Sequence, residues 1–209
     1  ANGNGTLTKR DAGTWILGGA NTYSGTTTVS GGTLLVDGST LSAGLINVSS
    51  GATLGGSGST GVANITDGTL APGGLLDNSL AMNSLTLDPA TQLVFGLDDP
   101  LLPAFNDTVQ LTNGLTLGGQ LTVLPQPGAS GYNFLAATPG TKWLLFSYAP
   151  GNLLETGVTI SSAPALASGL SWEVDTQSTD GSVFLTVVPE AGTAGLVALG
   201  LLLLRRRRA

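Results

Sequence analysis

A short motif that returns about every twenty residues constrains this chain more than any other feature. Val29-Ser-Gly-Gly-Thr-Leu34 is followed by Val48-Ser-Ser-Gly-Ala-Thr-Leu54 and then by Ile65-Thr-Asp-Gly-Thr-Leu70. Each copy places β-branched residues and Thr on either side of a Gly, which is typical of two short strands joined by a tight corner. The copies begin 19 and 17 residues apart, and Leu85 follows 20 residues later. This period predicts the turns of a parallel β-helix, in which the leading apolar residues point inward and stack on one another.

The composition is consistent with many short strands and turns. Of 209 residues, 32 are Gly, 41% are hydrophobic, 10% are charged and 5% are aromatic. The hydrophobic share is too high for a disordered chain. Alternating apolar and polar residues after Leu85, in segments 85–95, 107–112 and 115–123, predict further strands of the same column.

The pattern divides the chain into three predicted parts. Residues 1–124 are predicted to form the β-helix, and the sequence Pro125-Gln-Pro-Gly marks its lower boundary. Residues 125–188 contain longer, more aromatic segments, and we expect antiparallel strands that cap the exposed end of the column. Residues 189–209 form a separate tail.

The charged residues and the missing residue types exclude several functions. Outside the tail, the basic residues are Lys9, Arg10 and Lys142, whereas the whole chain has 13 acidic residues. This acidic balance argues against nucleic-acid binding, which needs Lys and Arg on the protein surface. The chain has no Cys and no His, so disulfides, thiolate metal sites and imidazole bases are excluded. We therefore predict a non-enzymatic protein without a cofactor.

The tail combines an uncharged run with a cluster of positive charge. Residues 191–204 carry no charge and are followed directly by Arg205, Arg206, Arg207 and Arg208. This order predicts a short transmembrane helix whose arginines remain on the cytoplasmic side. A helix of 14 residues spans roughly 21 Å, against about 30 Å of hydrocarbon, which favours a temporary anchor. The alternative is a buried helix of a soluble domain.

Residues 5–36 resemble a known family. The segments Gly13-Thr-Trp-Ile-Leu, Ala20-Asn-Thr-Tyr-Ser-Gly-Thr-Thr-Thr-Val29 and Gly31-Gly-Thr-Leu-Leu-Val36 are similar to the autotransporter-associated β-strand repeat of long exported bacterial proteins. The resemblance implies a right-handed parallel β-helix and a surface-exposed or secreted location. The predicted fold is therefore all-β, a right-handed parallel β-helix with a C-terminal β cap, followed by a short transmembrane helix.

The tail resembles the PEP-CTERM sorting signal. Val188, Pro189 and Glu190 form the motif, and an apolar segment and an arginine cluster follow it; the sequence departs from the family at Ala191, where a second proline is usual. The resemblance implies an exosortase-type membrane protease or transpeptidase as partner. It also implies that the protein is exported, held transiently in the membrane with its C-terminus cytoplasmic, and then released to the cell surface or the extracellular space.

Three further groups of residues are candidate sites. Asp98 and Asp99 are adjacent acids, which can serve glycoside chemistry or bind Ca²⁺, and a solvated loop is the alternative. The glycine-rich segment 55–61 lacks the Asp of a calcium repeat and the Gly-Lys of a phosphate loop, so it reads as a flexible corner. Five aromatic residues are candidates for a sugar-stacking platform: Trp15, Tyr23, Trp143, Tyr148 and Trp172.

Together these features predict an exported structural or adhesive protein of the cell envelope or extracellular matrix. Extracellular polysaccharide is a further candidate partner. Two alternatives stay open: a carbohydrate-binding surface module, and the C-terminal part of a larger β-helix enzyme that degrades polysaccharide. We also expect the sequence to derive from a longer precursor with an export signal.

Overall fold

Short strands at nearly constant intervals form almost all of the regular structure. The computed structural model describes residues 4–40, 44–73, 79–126, 131–177 and 179–190. In chain order, the strands of this part are β1 (Leu7–Lys9), β2 (Thr14–Leu17), β3 (Thr27–Val29), β4 (Thr33–Val36), β5 (Leu45–Ser49), β6 (Thr53–Gly56), β7 (Val62–Thr66), β8 (Thr69–Pro72), β9 (Ser79–Met82), β10 (Ser84–Leu87), β11 (Gln92–Leu97), β12 (Thr108–Leu111), β13 (Leu115–Pro125), β14 (Lys142–Ser147), β15 (Leu153–Ser162), β16 (Leu170–Asp175) and β17 (Ser182–Pro189). Two single-turn 3-10 helices, Pro103–Phe105 and Phe134–Ala136, interrupt the loops.

Two faces of the column are stacks of parallel, in-register strands. The first face runs from β1 through β3, β5 and β7 to β10. The second face runs from β2 through β4, β6 and β8 to β11. The long strand β13 joins both faces, because its first half pairs with β10 and its second half with β11. Each strand pairs with the equivalent strand one turn later, as in a parallel β-helix.

The third face begins as isolated bridges and ends as the cap. Single parallel bridges connect Ala20, Ser39, Ser59 and Ala81 in successive turns. Below them β9, β12 and β14 pair in parallel. The direction then reverses, since β17 is antiparallel to β14 and β16 is antiparallel to β17.

The core consists of side chains that stack on their equivalents in neighbouring turns. One inward ladder contains Lys9, Val29, Val48, Ile65 and Leu87. A second contains Trp15, Leu34, Leu54, Leu70, Leu93 and Leu121. Every aliphatic member of the two ladders is at most 1% exposed, and full burial of such a side chain stabilises the fold by about 1.5–3 kcal/mol.

The predicted stacking is confirmed for the three copies of the motif. In the turn below them, the residue that continues the ladder lies two positions after the predicted one. Val29, Val48 and Ile65 point inward, as the spacing predicts. The next residue of this ladder is Leu87 and not Leu85, which pairs with Ala63 and is also buried. The strand alternates by two, so both leucines reach the core.

The corner between the first and second faces explains the glycine of the motif. Gly32 and Gly51 have φ angles of 65° and 73°, in the left-handed region that favours glycine. A β-carbon at Gly32 would also collide with the carbonyl oxygen of Gly13 in the preceding turn. Conformation and close approach therefore both require glycine at position 32. At Gly51 only the conformation favours glycine, and in the third copy Asp67 adopts the left-handed conformation with a φ of 51°.

The predicted fold class needs a correction at its C-terminal end. The described residues form strands and two 3-10 turns, and no helix among them is long and apolar enough to cross a membrane. The transmembrane helix in the predicted fold class is therefore wrong for the structure as described, which ends at Glu190. Residues 191–209, where that helix was placed, lie outside the described residues.

The prediction that all strands of the cap are antiparallel is wrong for one of them. The ten-residue strand β15 pairs in parallel with β13 at eight positions, with two register shifts. It therefore extends the column by part of another turn. Only the β14–β17 and β16–β17 pairs of the described cap are antiparallel.

Candidate functional site

The predicted processing motif lies at the end of the central strand of the cap. β17 is hydrogen-bonded to β14 on one side and to β16 on the other. Val188 and Pro189 still belong to the ladder with β16, and the N–H of Glu190 donates to the carbonyl oxygen of Gly169 at 2.9 Å. Pro189 has no N–H, so it suits the end of a strand. The motif is therefore the last paired segment of the cap.

Val187, the residue before the motif, is buried and hydrogen-bonded through both its N–H and its carbonyl group. Val187 is fully buried. Its N–H donates to the carbonyl oxygen of Thr141 at 3.0 Å, and its own carbonyl oxygen accepts from the N–H of Gly140 at 2.8 Å. The other members of the predicted site, Ala191 and the arginines Arg205, Arg206, Arg207 and Arg208, lie outside the described residues.

The adjacent acids Asp98 and Asp99 hold a loop together. Asp98 is 1% exposed, and its Oδ1 accepts from the N–H of Tyr132 at 3.1 Å. Its own N–H donates to Oδ1 of Asn106 at 2.6 Å. Oδ1 of Asp99 accepts from the N–H of Leu101 at 2.8 Å. These hydrogen bonds support a structural role for both acids. Among the described residues there is no group of three or more metal-ligating side chains.

A third acid, Asp107, is buried beside this loop and was not singled out from the sequence. Its Oδ2 accepts from the N–H of Gly96 at 2.6 Å, and its own N–H donates back to the carbonyl oxygen of Gly96 at 2.8 Å. Burial raises the pKa of the Asp107 carboxyl to about 6, and the hydrogen bond from Gly96 opposes part of this rise. The sequence gives no signal for this burial, because Asp107 sits before an ordinary alternating strand.

The five candidate aromatic residues do not form one sugar-stacking platform. Trp143 and Tyr148 are buried, and Trp143 packs against Trp172 with ring centroids 5.3 Å apart. Nε1–H of Trp143 donates to the carbonyl oxygen of Asp98 at 2.6 Å. Trp15 lies on β2 at the opposite end of the column and is 47% exposed. The aromatic residues of the cap are thus mainly core.

Lys9 is a second buried polar residue that sequence reasoning missed. It is 2% exposed and occupies the first position of the ladder that continues with Val29. Nζ donates to the carbonyl oxygens of Asp11 and Gly31, the latter at 3.0 Å, and lies 5.8 Å from the ring centroid of Trp15. The twenty-residue spacing from Lys9 to Val29 is close to the period of the motif and could have predicted that Lys9 is buried.

The comparisons with known proteins bear on the first two turns of the column. A family model described as the passenger-associated-transport repeat matches residues 7–36, which comprise β1 to β4. This match confirms the resemblance to an autotransporter-associated repeat that residues 5–36 indicated. No curated protein matches the chain, and the comparisons do not show the PEP-CTERM signal. Similarity to the repeat indicates an exported surface protein.

Proposed function

We propose that this chain is an exported structural or adhesive protein of the cell surface or extracellular matrix. The observation that carries the proposal is the column itself, whose first two turns match a transport-associated repeat. The buried core is a narrow aliphatic ladder, while the outward positions of the same strands are mostly Thr, Ser, Asn and Gln. A column of this kind is stiff and water-exposed along its length.

The second part of the proposal is that an exosortase-type protease or transpeptidase processes the chain at the end of β17. The support is the sequence Val188-Pro189-Glu190 and the position of this motif at the last paired residues of the cap. A protease needs an extended, unpaired substrate segment. Cleavage before Glu190 would require Val188 and Pro189 to leave β16, so we place the cut on the carboxyl side of Glu190.

Cleavage at this point would leave the cap complete. Val187 and its hydrogen bonds to the segment before β14 lie upstream of the cut. The bond from the N–H of Glu190 to Gly169 is also retained in the product. The released protein would therefore keep every strand of the described fold.

Mass spectrometry of the surface-associated and released protein tests the processing step. In a host that carries an exosortase, we expect a new C-terminus between Glu190 and Gly192. The Pro189→Ala/Glu190→Ala variant should keep the tail. Glu173→Ala, which changes an exposed glutamate of the neighbouring strand β16, should be processed like the wild type.

Two results would contradict the proposal. An intact Arg205–Arg208 tail on all surface protein would exclude processing. A C-terminus before Glu190 would show that the end of β17 opens before cleavage, and the placement of the cut would then be wrong.

A further inference from the structure

The outward side of the first face carries an uncharged ladder of hydrogen-bonding groups. Parallel pairing places one such residue above the next in six consecutive turns: Thr8, Thr28, Asn47, Asn64, Thr86 and Thr116. Paired strands lie about 4.7–4.9 Å apart, so the hydroxyl and amide groups repeat at this interval along the column. All six side chains are at least partly exposed.

The amides at the centre of this ladder retain much of their hydrogen-bonding capacity. Nδ2 of Asn64 is 3.5 Å from Oδ1 of Asn47, which is a long hydrogen bond. An amide has two donors on nitrogen and two acceptor sites on oxygen. This one long contact therefore uses a small part of what the pair offers to a ligand.

The lower end of the ladder opens into a shallow hollow. The hollow has a volume of about 330 Å³, and its lining includes Ser84, Thr86, Thr116, Asn152 and Leu154. Glycines replace side chains at two positions of its wall. Leu154 is 62% exposed and continues the ladder, because it pairs with Thr116. The hollow thus combines hydroxyl and amide groups with one apolar side.

The second face differs from the first in charge at the corresponding end. Its outward ladder also begins with threonines, but it ends at Thr159, which lines a groove of about 580 Å³ together with Glu155 and Glu173. None of the residues that line the hollow on the first face is charged. The first face therefore suits a neutral ligand, and the second face repels an anionic one.

We propose that the first face binds a neutral polysaccharide, with the hollow at its lower end as the main subsite. The sugar hydroxyls would exchange hydrogen bonds with Thr86, Thr116 and the asparagine pair, and the apolar face of one sugar ring would lie against Leu154. A chain with a net charge of −6 disfavours acidic glycans at long range. This inference rests on the proposed extracellular location and adds a specific partner to it.

Binding isotherms of the full chain on insoluble cellulose, with soluble dextran and alginate in affinity gels, test the proposal. The test variant is Thr86→Val/Thr116→Val, which replaces two hydroxyls by methyl groups of nearly equal size. The matched control is Thr53→Val/Thr69→Val on the second face, where the threonines are equally part of a parallel ladder. Circular dichroism melting establishes that both variants are folded.

We expect saturable binding to at least one neutral glycan, weaker binding to alginate, and a loss of about tenfold or more in affinity for the Thr86→Val/Thr116→Val variant. The control should stay within about twofold of the wild type. Equal losses in both variants, preference for alginate, or no saturable binding to either neutral glycan would overturn the inference. C-terminal processing, read by mass, should be unchanged in these variants, so failure here is distinguishable from failure of the proposed function.

Discussion

The column and the cap reach stability in different ways. In the column, each inward residue contacts its equivalents in the turns above and below, and the same few residue types suffice throughout. In the cap, an aromatic cluster adds to the buried aliphatic residues of β14 and β17. Its members Tyr132, Phe134, Trp143 and Trp172 pack with centroid distances of 5.1–6.1 Å. In the column, the stabilising contacts are spread over many equivalent positions. In the cap, the aromatic contacts are made by side chains that have no equivalent in a neighbouring turn.

The largest expected effect is the difference in stability between a charge placed on the inward side and a charge placed on the outward side of the same column strand. Val48→Asp places an unpaired carboxylate inside the ladder, where Val48 is 1% exposed. We expect a loss of about 5 kcal/mol or more in the free energy of unfolding, or failure to fold. Urea denaturation followed by circular dichroism measures the change.

The control for this prediction is Asn47→Asp on the outward side of the same strand. Its carboxylate can still accept the hydrogen bond from Asn64, so stability should change by about 0.5 kcal/mol or less. Equal stability of the two variants would refute the inward assignment of Val48.

Replacing one tryptophan in each region by alanine should cost more stability in the cap than at the end of the column. Trp143→Ala removes a buried ring and its hydrogen bond to Asp98, and we expect a loss of about 3–5 kcal/mol. Trp15→Ala removes a ring that is 47% exposed at the end of the column, so its cost should be clearly smaller. If Trp15→Ala costs as much as Trp143→Ala, the contrast between column and cap does not hold.

The smallest expected effect concerns pH at the junction of the two regions. The pKa of Asp107 is raised to about 6 by burial, so between about pH 4 and pH 6 the folded state binds more protons than the unfolded state. Stability from this group is fully present below about pH 4 and is lost as the pH rises through 6, by up to about 3 kcal/mol. Denaturant midpoints from pH 4 to pH 8 measure the loss.

Asp107→Asn should remove this pH dependence. The amide oxygen can still accept from the N–H of Gly96, and the side chain no longer ionises. We expect the variant to match the wild type near pH 4 and to exceed it at pH 7–8. A wild-type pH profile in the variant would mean that Asp107 is not the group responsible.

The sequence predicted the column better than the cap for a physical reason. The motif that begins at Val29, Val48 and Ile65 repeats locally, so each copy supports the interpretation of the others. The pairing of β15 with β13 joins segments about forty residues apart and has no repeat to reveal it. The same alternating pattern fits parallel and antiparallel strands, and only the structure distinguishes them.

The candidate sites were predictable in part. The sequence located Val188, Pro189 and Glu190, but the pairing of these residues with β16 could not be read from it. Burial of Asp98 depends on contacts with Tyr132, which lies 34 residues away. The polar ladder of the first face follows from strand alternation once the register between turns is known.

Lys9 has a consequence for how the turns find their partners during folding. A stack of similar aliphatic residues is nearly indifferent to a slip of one whole turn, because leucine and valine fit above either neighbour. Lys9 breaks this equivalence, since its amino group needs the carbonyl oxygens of Asp11 and Gly31. A slipped stack would bury the ammonium between aliphatic side chains without those oxygens. Lys9 therefore helps to fix the register of a column whose turns are otherwise nearly identical.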